Sequence, residues 1–246
     1  MIPLRDSNPT RRFPAVTLML ICVNVGVFVL DILSRRVEIV RALTPDGIMV
    51  YQRQIGGFAD HYAMVPSEIT SDLGMAWLTV FTSMFLHANW LHILGNMLYL
   101  WIFGNNVEDT LGHLGFIVFY LVCGVGAAAA HIVTGPQSDI PTVGASGAVA
   151  GVMGAYLILF PHARVLALVP VMFFSTLMEV PAVIVIGFWA VIQFLNVNWF
   201  GGGELRGGGV AYAAHAGGFV CGLLLVTMLG GRNLTRRSRG RYYDDF

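Results

Sequence analysis

A chain of 246 residues with 56% hydrophobic and only 11% charged residues falls well short of the roughly 25% charged residues of a soluble domain. With a mean hydropathy of +0.71, composition argues against a water-soluble enzyme or nucleic-acid-binding protein and for an integral membrane protein. The formal net charge is +0, but that zero hides an uneven distribution of arginines along the chain.

Residues 1–12 form a short polar leader with Arg5, Arg11 and Arg12, followed by a first apolar span over Phe13 to Leu33. No Ala-x-Ala-like cleavage site follows that span, and Arg11-Arg12 only faintly resembles a twin-arginine signal. Residues 34–75 are a long mixed connection, expected to be partly helical and to lie at the membrane interface. A short lead-in helix is predicted around 77–86, a second span at 88–105, a tight polar turn over Asn105 to Gly112, and a third span at 113–133. The run Gly124 to Ala130 gives that third span a small-residue face suited to close helix contact.

The fourth apolar run, Ser146 to Phe160, is the anomaly. At about 1.5 Å per residue it reaches about 22 Å, against a hydrocarbon core of about 30 Å. With its Pro161–Arg164 end at one surface, Ser146 starts below the other. Polar side chains and irregular backbone at that depth are tolerated beside a water-filled cavity. Residues 161–180, punctuated by Pro161, Pro170 and Pro181, are expected to be a connector at the interface. A fifth span follows at 181–197, then a glycine-rich loop over Gly201 to Gly209 suited to a mobile cap, a sixth span at 210–229, and a basic tail. The domain reading is a leader (1–12), a six-helix domain (13–230) and a tail (231–246).

Six spans place both termini on one side. The leader, the 161–164 turn and the tail then hold nine arginines, against five on the other side (Arg35, Arg36, Arg41, Arg53 and Arg206). The positive-inside rule puts both ends in the cytosol and the Ser146 end outward. Cys22, Cys123 and Cys221 lie in apolar runs at spacings that fit neither zinc nor a disulfide framework.

Ionisable groups inside spans are costly and mark functional sites. His92 and Asn96, four apart, share one face of the second span; His87 lies elsewhere on it. On the sixth span His215 sits among small residues, where Ala214 and Gly218 form a small-xxx-small pair, a spacing repeated by Gly147, Gly151 and Ala155 on the fourth. Close approach of these two helices brings Ser146 and His215 to similar depth. A serine hydroxyl beside a histidine that accepts its proton is a nucleophile. A helix starting at Ser146 offers free N–H groups to a developing oxyanion, and His92 and Asn96 are candidate side-chain donors to it. No carboxylate lies near His215 in a span, so this is a dyad rather than a triad. A metal site lacks a His-Glu-x-x-His helix. A small-solute transporter would show repeats or an acidic coupling residue in mid-span, and a non-catalytic client-binding relative would have no use for the dyad.

His87-x4-His92-x3-Asn96, Gly144-Ala145-Ser146-Gly147 and Ala214-His215-Ala216-Gly217-Gly218, in that order on the second, fourth and sixth spans, resemble the rhomboid family of intramembrane serine proteases. The resemblance covers Phe13 to Leu229. It implies an all-α, six-span, polytopic bundle with a long, partly helical first outer loop, no cofactor and no metal. It implies Ser146 as nucleophile, His215 as general base, and His92, Asn96 and the Ser146 N–H as the oxyanion site. His87 would order the neighbouring loop, Gly144, Gly147, Ala214 and Gly218 would support the site, and Glu108 would tie helix ends together. Substrates would be single-pass or polytopic membrane proteins, entering from the lipid near the second and fifth spans, with no nucleic acid involved. A bacterial inner membrane is the expected location. Some members carry a Trp-Arg pair in the first loop, which residues 34–75 lack. Some stack an aromatic on the base histidine, four residues after the serine; Ala150 stands there, so His215 must be held by other packing.

Overall fold

The computed structural model describes residues 1–44, 47–71, 74–171, 174–199 and 211–235. The glycine-rich cap at 201–209 and all but the first residues of the basic tail lie outside this set. The chain begins with β1 (Ile2–Asp6) and α1 (Ala15–Ser34), then a hairpin of β2 (Arg36–Thr44) and β3 (Gly47–Ile55). Three short helices follow, α2 (Ala59–Tyr62), α3 (Pro66–Ser71) and α4 (Thr79–Thr82), the last flanked by single 3₁₀ turns. Then come α5 (Trp90–Tyr99), a π turn at Leu100–Gly104, α6 (Asn105–Leu111) and α7 (His113–Thr134). The chain continues through α8 (Ser146–Leu159), β4 (Arg164–Val171), β5 (Phe174–Pro181), α9 (Ala182–Trp199) and α10 (Tyr212–Met228).

α1 and α7, of 20 and 22 residues, are long and apolar enough to cross a membrane. The other apolar helices are shorter, α8 having 14 residues and α10 having 17. Outward faces are oily: Met19, Val29, Leu30, Val118, Val183, Phe188, Leu195 and Leu224 are all exposed. A continuous apolar surface of this kind suits lipid rather than water. Inside, Phe28, Phe103, Phe116, Tyr120 and Tyr156 are buried in one core, with the Phe103 and Tyr156 rings edge to face at 4.9 Å.

The structure departs from the sequence expectation in three places. The chain is mostly helical, but not all-α. The expected connector at 161–180 is the β4–β5 hairpin, and the leader supplies β1 to it, giving an antiparallel sheet in the order β1-β4-β5. Proline is tolerated because β1 pairs only with Val165–Leu168, leaving Pro170 beyond the shared stretch. Val165 and Ala167, two apart, are buried against the bundle. A period of two was present in the sequence, but surrounding leucines and prolines obscured it.

The leader is docked rather than loose. The Tyr156 hydroxyl donates to Asp6 Oδ2 at 2.8 Å, Asn106 Nδ2 donates to the same oxygen at 2.7 Å, and Asn8 Nδ2 donates to the Tyr156 hydroxyl at 2.8 Å. Burial pushes the Asp6 carboxyl above its ordinary value, and the bond from Tyr156 pulls it partly back.

The second departure is in the first loop. It contains the β2–β3 hairpin, paired from Arg36↔Ile55 to Thr44↔Gly47, as well as the short helices. The alternation Arg36-Val37-Glu38-Ile39 was its signal.

Third, residues 105–111 are not a turn. The helix begun at Trp90 continues through the π turn to Leu111, and the reversal is confined to Gly112, at φ 75°. Asn106 and Glu108, in the stretch expected to be a polar turn, are only 2% and 1% exposed. Glu108 accepts from the N–H groups of Val16 at 2.9 Å and Thr17 at 2.7 Å, and from the Thr17 hydroxyl at 2.6 Å. His113 Nδ1 lies 2.6 Å from Glu108 Oε1, the oxygen that also accepts from Val16. The carboxylate thus satisfies the open N–H groups in the first turn of α1, where negative charge is favoured by the helix dipole.

Replacing Glu108 with alanine strands those donors in an apolar setting at about 1–3 kcal/mol each. Thermal unfolding in detergent is expected to show a large drop in melting temperature for Glu108→Ala. Glu108→Gln, which keeps one acceptor oxygen, should lose less.

Candidate active site

Four segments meet at the end of the bundle opposite the β1-β4-β5 sheet. Ser146 is the first residue of α8, preceded by Ala145 as a cap that offers no side-chain acceptor. The first-turn N–H groups are therefore left pointing out of the helix end. The turn before it is fixed by the Gly144 N–H, which donates to Ser83 O at 2.9 Å. Gly144 has φ 130°, a conformation that disfavours any side chain.

The loop entering this turn is pinned by the first loop. Met64 and Thr142 exchange backbone bonds of 3.1 and 2.8 Å. The Ser67 hydroxyl donates to Asp139 at 2.7 Å, and the Thr70 hydroxyl to Pro136 O at 2.8 Å. The approach to the serine is thus braced from outside the helical bundle.

α8 and α10 touch through backbone. A Cβ built on Gly218 would collide with the Gly147 carbonyl oxygen, and one on Gly222 with that of Gly151. One built on Gly147 would collide with Ala127 of α7 and lie 3.7 Å from Ala214 O. Ser146, just before Gly147, and His215, just after Ala214, are therefore held on facing turns of the two helices.

His92 reaches the same place from α5. Asn89 caps that helix by accepting from the His92 N–H at 2.9 Å, and Phe28 braces its first residue, Trp90, edge to face at 4.9 Å. The Ala88 N–H donates to His92 Nδ1 at 3.4 Å. With Nδ1 accepting, the ring hydrogen of neutral His92 is on Nε2. A Cβ on Gly144 would lie 2.7 Å from that Nε2 and 3.5 Å from Ser146 Oγ. Both atoms border the small space that Gly144 leaves empty.

Asn96, one turn further, is 7% exposed and donates one amide hydrogen to His92 O at 3.1 Å; its second hydrogen remains for another acceptor. His87 is 2% exposed, and neither ring nitrogen has a hydrogen-bond partner among the described residues. It packs against His92 with ring centroids 5.1 Å apart. Glu108 is at the far end of the second helix and takes no part in this cluster.

Sequence reasoning missed three neighbours. Gln193 on α9 places its Oε1 2.8 Å from His215 Nδ1. Trp189, one turn earlier, lies beside the same ring with centroids 5.7 Å apart and planes 36° apart. His131 near the end of α7 pairs with the Thr142 hydroxyl at 2.9 Å. A lone amide in the apolar run Ala190-Val191-Ile192-Gln193-Phe194-Leu195 was the available signal. Asp31 is a fourth, structural omission: it is 2% exposed at the end of α1, paired with Arg35 and accepting from the Phe58 N–H.

The rhomboid-domain family model matches residues 74–232, more than half of the chain and every helix of this site. The chain belongs to the rhomboid family. Rhomboids are integral membrane proteins, typically intramembrane serine proteases. This rhomboid is 33% identical to Rhomboid protein 1, mitochondrial, of Saccharomyces cerevisiae, over 60% of the chain and 40% of that protein. It is 34% identical to the Rhomboid protease GluP of Bacillus subtilis, over 62% of the chain and 30% of that protein. It is also 43% identical to Rhomboid-like protein 11, chloroplastic, of Arabidopsis thaliana, over 31% of the chain and 27% of that protein. The matched stretch is less than half the length of each relative, and the three names cover mitochondrial, bacterial and chloroplast proteins.

The backbone contact of α8 with α10 makes a sharp expectation. Gly218→Ala forces the helices apart, so thermal stability in detergent should fall. Gly26→Ala on α1, where an added Cβ meets nothing within 4 Å, should leave it within error of the parent.

Proposed function

We propose that this rhomboid is an intramembrane serine endopeptidase that hydrolyses peptide bonds in or beside transmembrane segments of other membrane proteins. Ser146 is the nucleophile and His215 the general base. The observation that carries this reading is the convergence on one small space: His92 Nε2 and Ser146 Oγ both border the volume left by Gly144, and the backbone contact of α8 with α10 sets His215 on the turn facing Ser146. His92 presents an Nε2–H donor, whereas His215, bonded through Nδ1, keeps an Nε2 lone pair.

In the reaction His215 Nε2 takes the Ser146 proton as Oγ attacks the scissile carbonyl carbon. The oxyanion that forms is met by the Ser146 N–H at the start of α8, the Nε2–H of His92 and the second amide hydrogen of Asn96. The imidazolium of His215 then gives its proton to the leaving amine, and water hydrolyses the acyl-enzyme by the reverse sequence. No cofactor or metal is required. A peptide bond inside an intact helix is hydrogen-bonded and shielded, so substrates with helix-breaking residues near the cleavage point should react fastest.

Six spans, formed by α1, the α5–α6 helix, α7, α8, α9 and α10, put both termini in the cytosol and Ser146 toward the outer face. The arginine distribution and the shortness of α8 support that orientation. The expected setting is a bacterial inner membrane.

The test is cleavage of a reporter transmembrane substrate by purified protein. Ser146→Ala and His215→Ala should each abolish turnover. His92→Ala should lower kcat by about 10²–10³, the range for loss of one oxyanion donor. Undiminished cleavage by Ser146→Ala rejects the assignment.

A further inference from the structure

We infer that Gln193 is a positioning residue for the base: its amide selects the Nδ1–H tautomer of His215 and fixes the imidazole plane, making α9 part of the catalytic apparatus. This rests on the protease reading for its consequence, but not for its geometry. Gln193 is 6% exposed, so its amide must be satisfied within the protein. Its Nε2 donates to Trp189 O, one turn back on α9, at 3.2 Å. That fixes which way the amide faces, because the flipped amide would set two acceptor oxygens against each other. Oε1 therefore faces His215 Nδ1 at 2.8 Å, and an amide oxygen only accepts. Nδ1 must carry the ring hydrogen, which leaves the lone pair on Nε2.

Selection matters because neutral histidine in water favours the hydrogen on Nε2, the tautomer with no lone pair for the serine. A carboxylate does this job in serine-histidine-aspartate triads, where the wrong tautomer costs about 10⁴ in kcat. Among the described residues no carboxylate forms an ion pair with His215. An amide orients the ring equally well but adds no charge to stabilise the imidazolium. Trp189 supplies the second restraint from the same helix, flanking the ring where Ala150 of α8, fully buried, has no aromatic to offer. The titratable groups that act on His215 from the surrounding helices are His92 on α5 and His131 on α7. An outward shift of α9 by about 1 Å takes the Gln193–His215 contact beyond hydrogen-bond range.

Two measurements on the full chain in detergent test this. The first is the ¹⁵N spectrum of His215, assigned with His215→Ala, which reads the tautomer without any turnover. The parent should show a protonated Nδ1 and a bare Nε2, and Gln193→Leu should shift the population toward Nε2–H. The second is reporter cleavage across pH. Gln193→Leu should lower kcat by at least about tenfold, with KM within twofold and a cooperative melting transition that shows the variant is still folded. Gln193→Glu should retain more activity, with the acid limb of its pH profile moved to higher pH, because a carboxylate at Nδ1 raises the basicity of the ring. A parent spectrum with the hydrogen on Nε2, or Gln193→Leu with kcat within twofold of the parent and the same pH profile, overturns the inference. Undiminished cleavage by Ser146→Ala would instead remove the protease reading, leaving the tautomer result standing on its own.

Discussion

Everything at the candidate site depends on two helices touching through backbone. Gly147 and Gly151 of α8 meet Gly218 and Gly222 of α10 with no side chain between them. Helix axes with ordinary side chains at the contact stay 8–10 Å apart; glycine lets them come closer. In lipid there is no hydrophobic drive to associate helices, so van der Waals packing at such small-residue faces supplies much of the adhesion. The same contact has a chemical effect. It sets Ser146 and His215 on facing turns, so the packing that stabilises the bundle also aligns the proposed nucleophile with its proposed base.

The remaining parts act as braces on that pair. The first loop, through Met64, Ser67 and Thr70, holds the segment that leads into Ser146. Glu108 ties α6 to the start of α1, and Asp31 ties the end of α1 to the first loop through Phe58. The β1-β4-β5 sheet closes the opposite end, with Asp6 and Tyr156 joining the leader to the C-terminal half of α8. Glu108, Asp31 and Asp6 are buried together with their partners, which is the affordable way to place polarity in a bundle this apolar; the Ser67 and Thr70 bonds lie at the exposed surface.

His92 and His215 illustrate how hydrogen-bond surroundings assign roles to identical side chains. A backbone N–H at Nδ1 turns His92 into a donor at Nε2. An amide oxygen at Nδ1 does the reverse for His215. Neither assignment needs a charged residue, which suits an apolar setting where an unpaired carboxylate is expensive.

The sequence by itself determined the membrane setting, the helix limits of α1, α7, α8 and α10 to within a few residues, and the family-bearing motifs around His92, Ser146 and His215. These are carried by hydrophobic run length and by rare polar or small residues in apolar stretches, and both are local properties. What the tertiary structure alone decided is where buried polarity finds its partners. The residues at 105–111 read as a turn because nothing local announces that Glu108 will cap a helix some 90 positions earlier in the chain. The leader became a strand because β4 offered it an edge, and the hairpin in 161–180 was not legible because its alternation was masked by apolar residues on both faces. Gln193 could be noticed as a lone amide, but its role could not: which atom of which histidine it meets is fixed by the packing of α9 on α10, a long-range geometry with no signature at position 193.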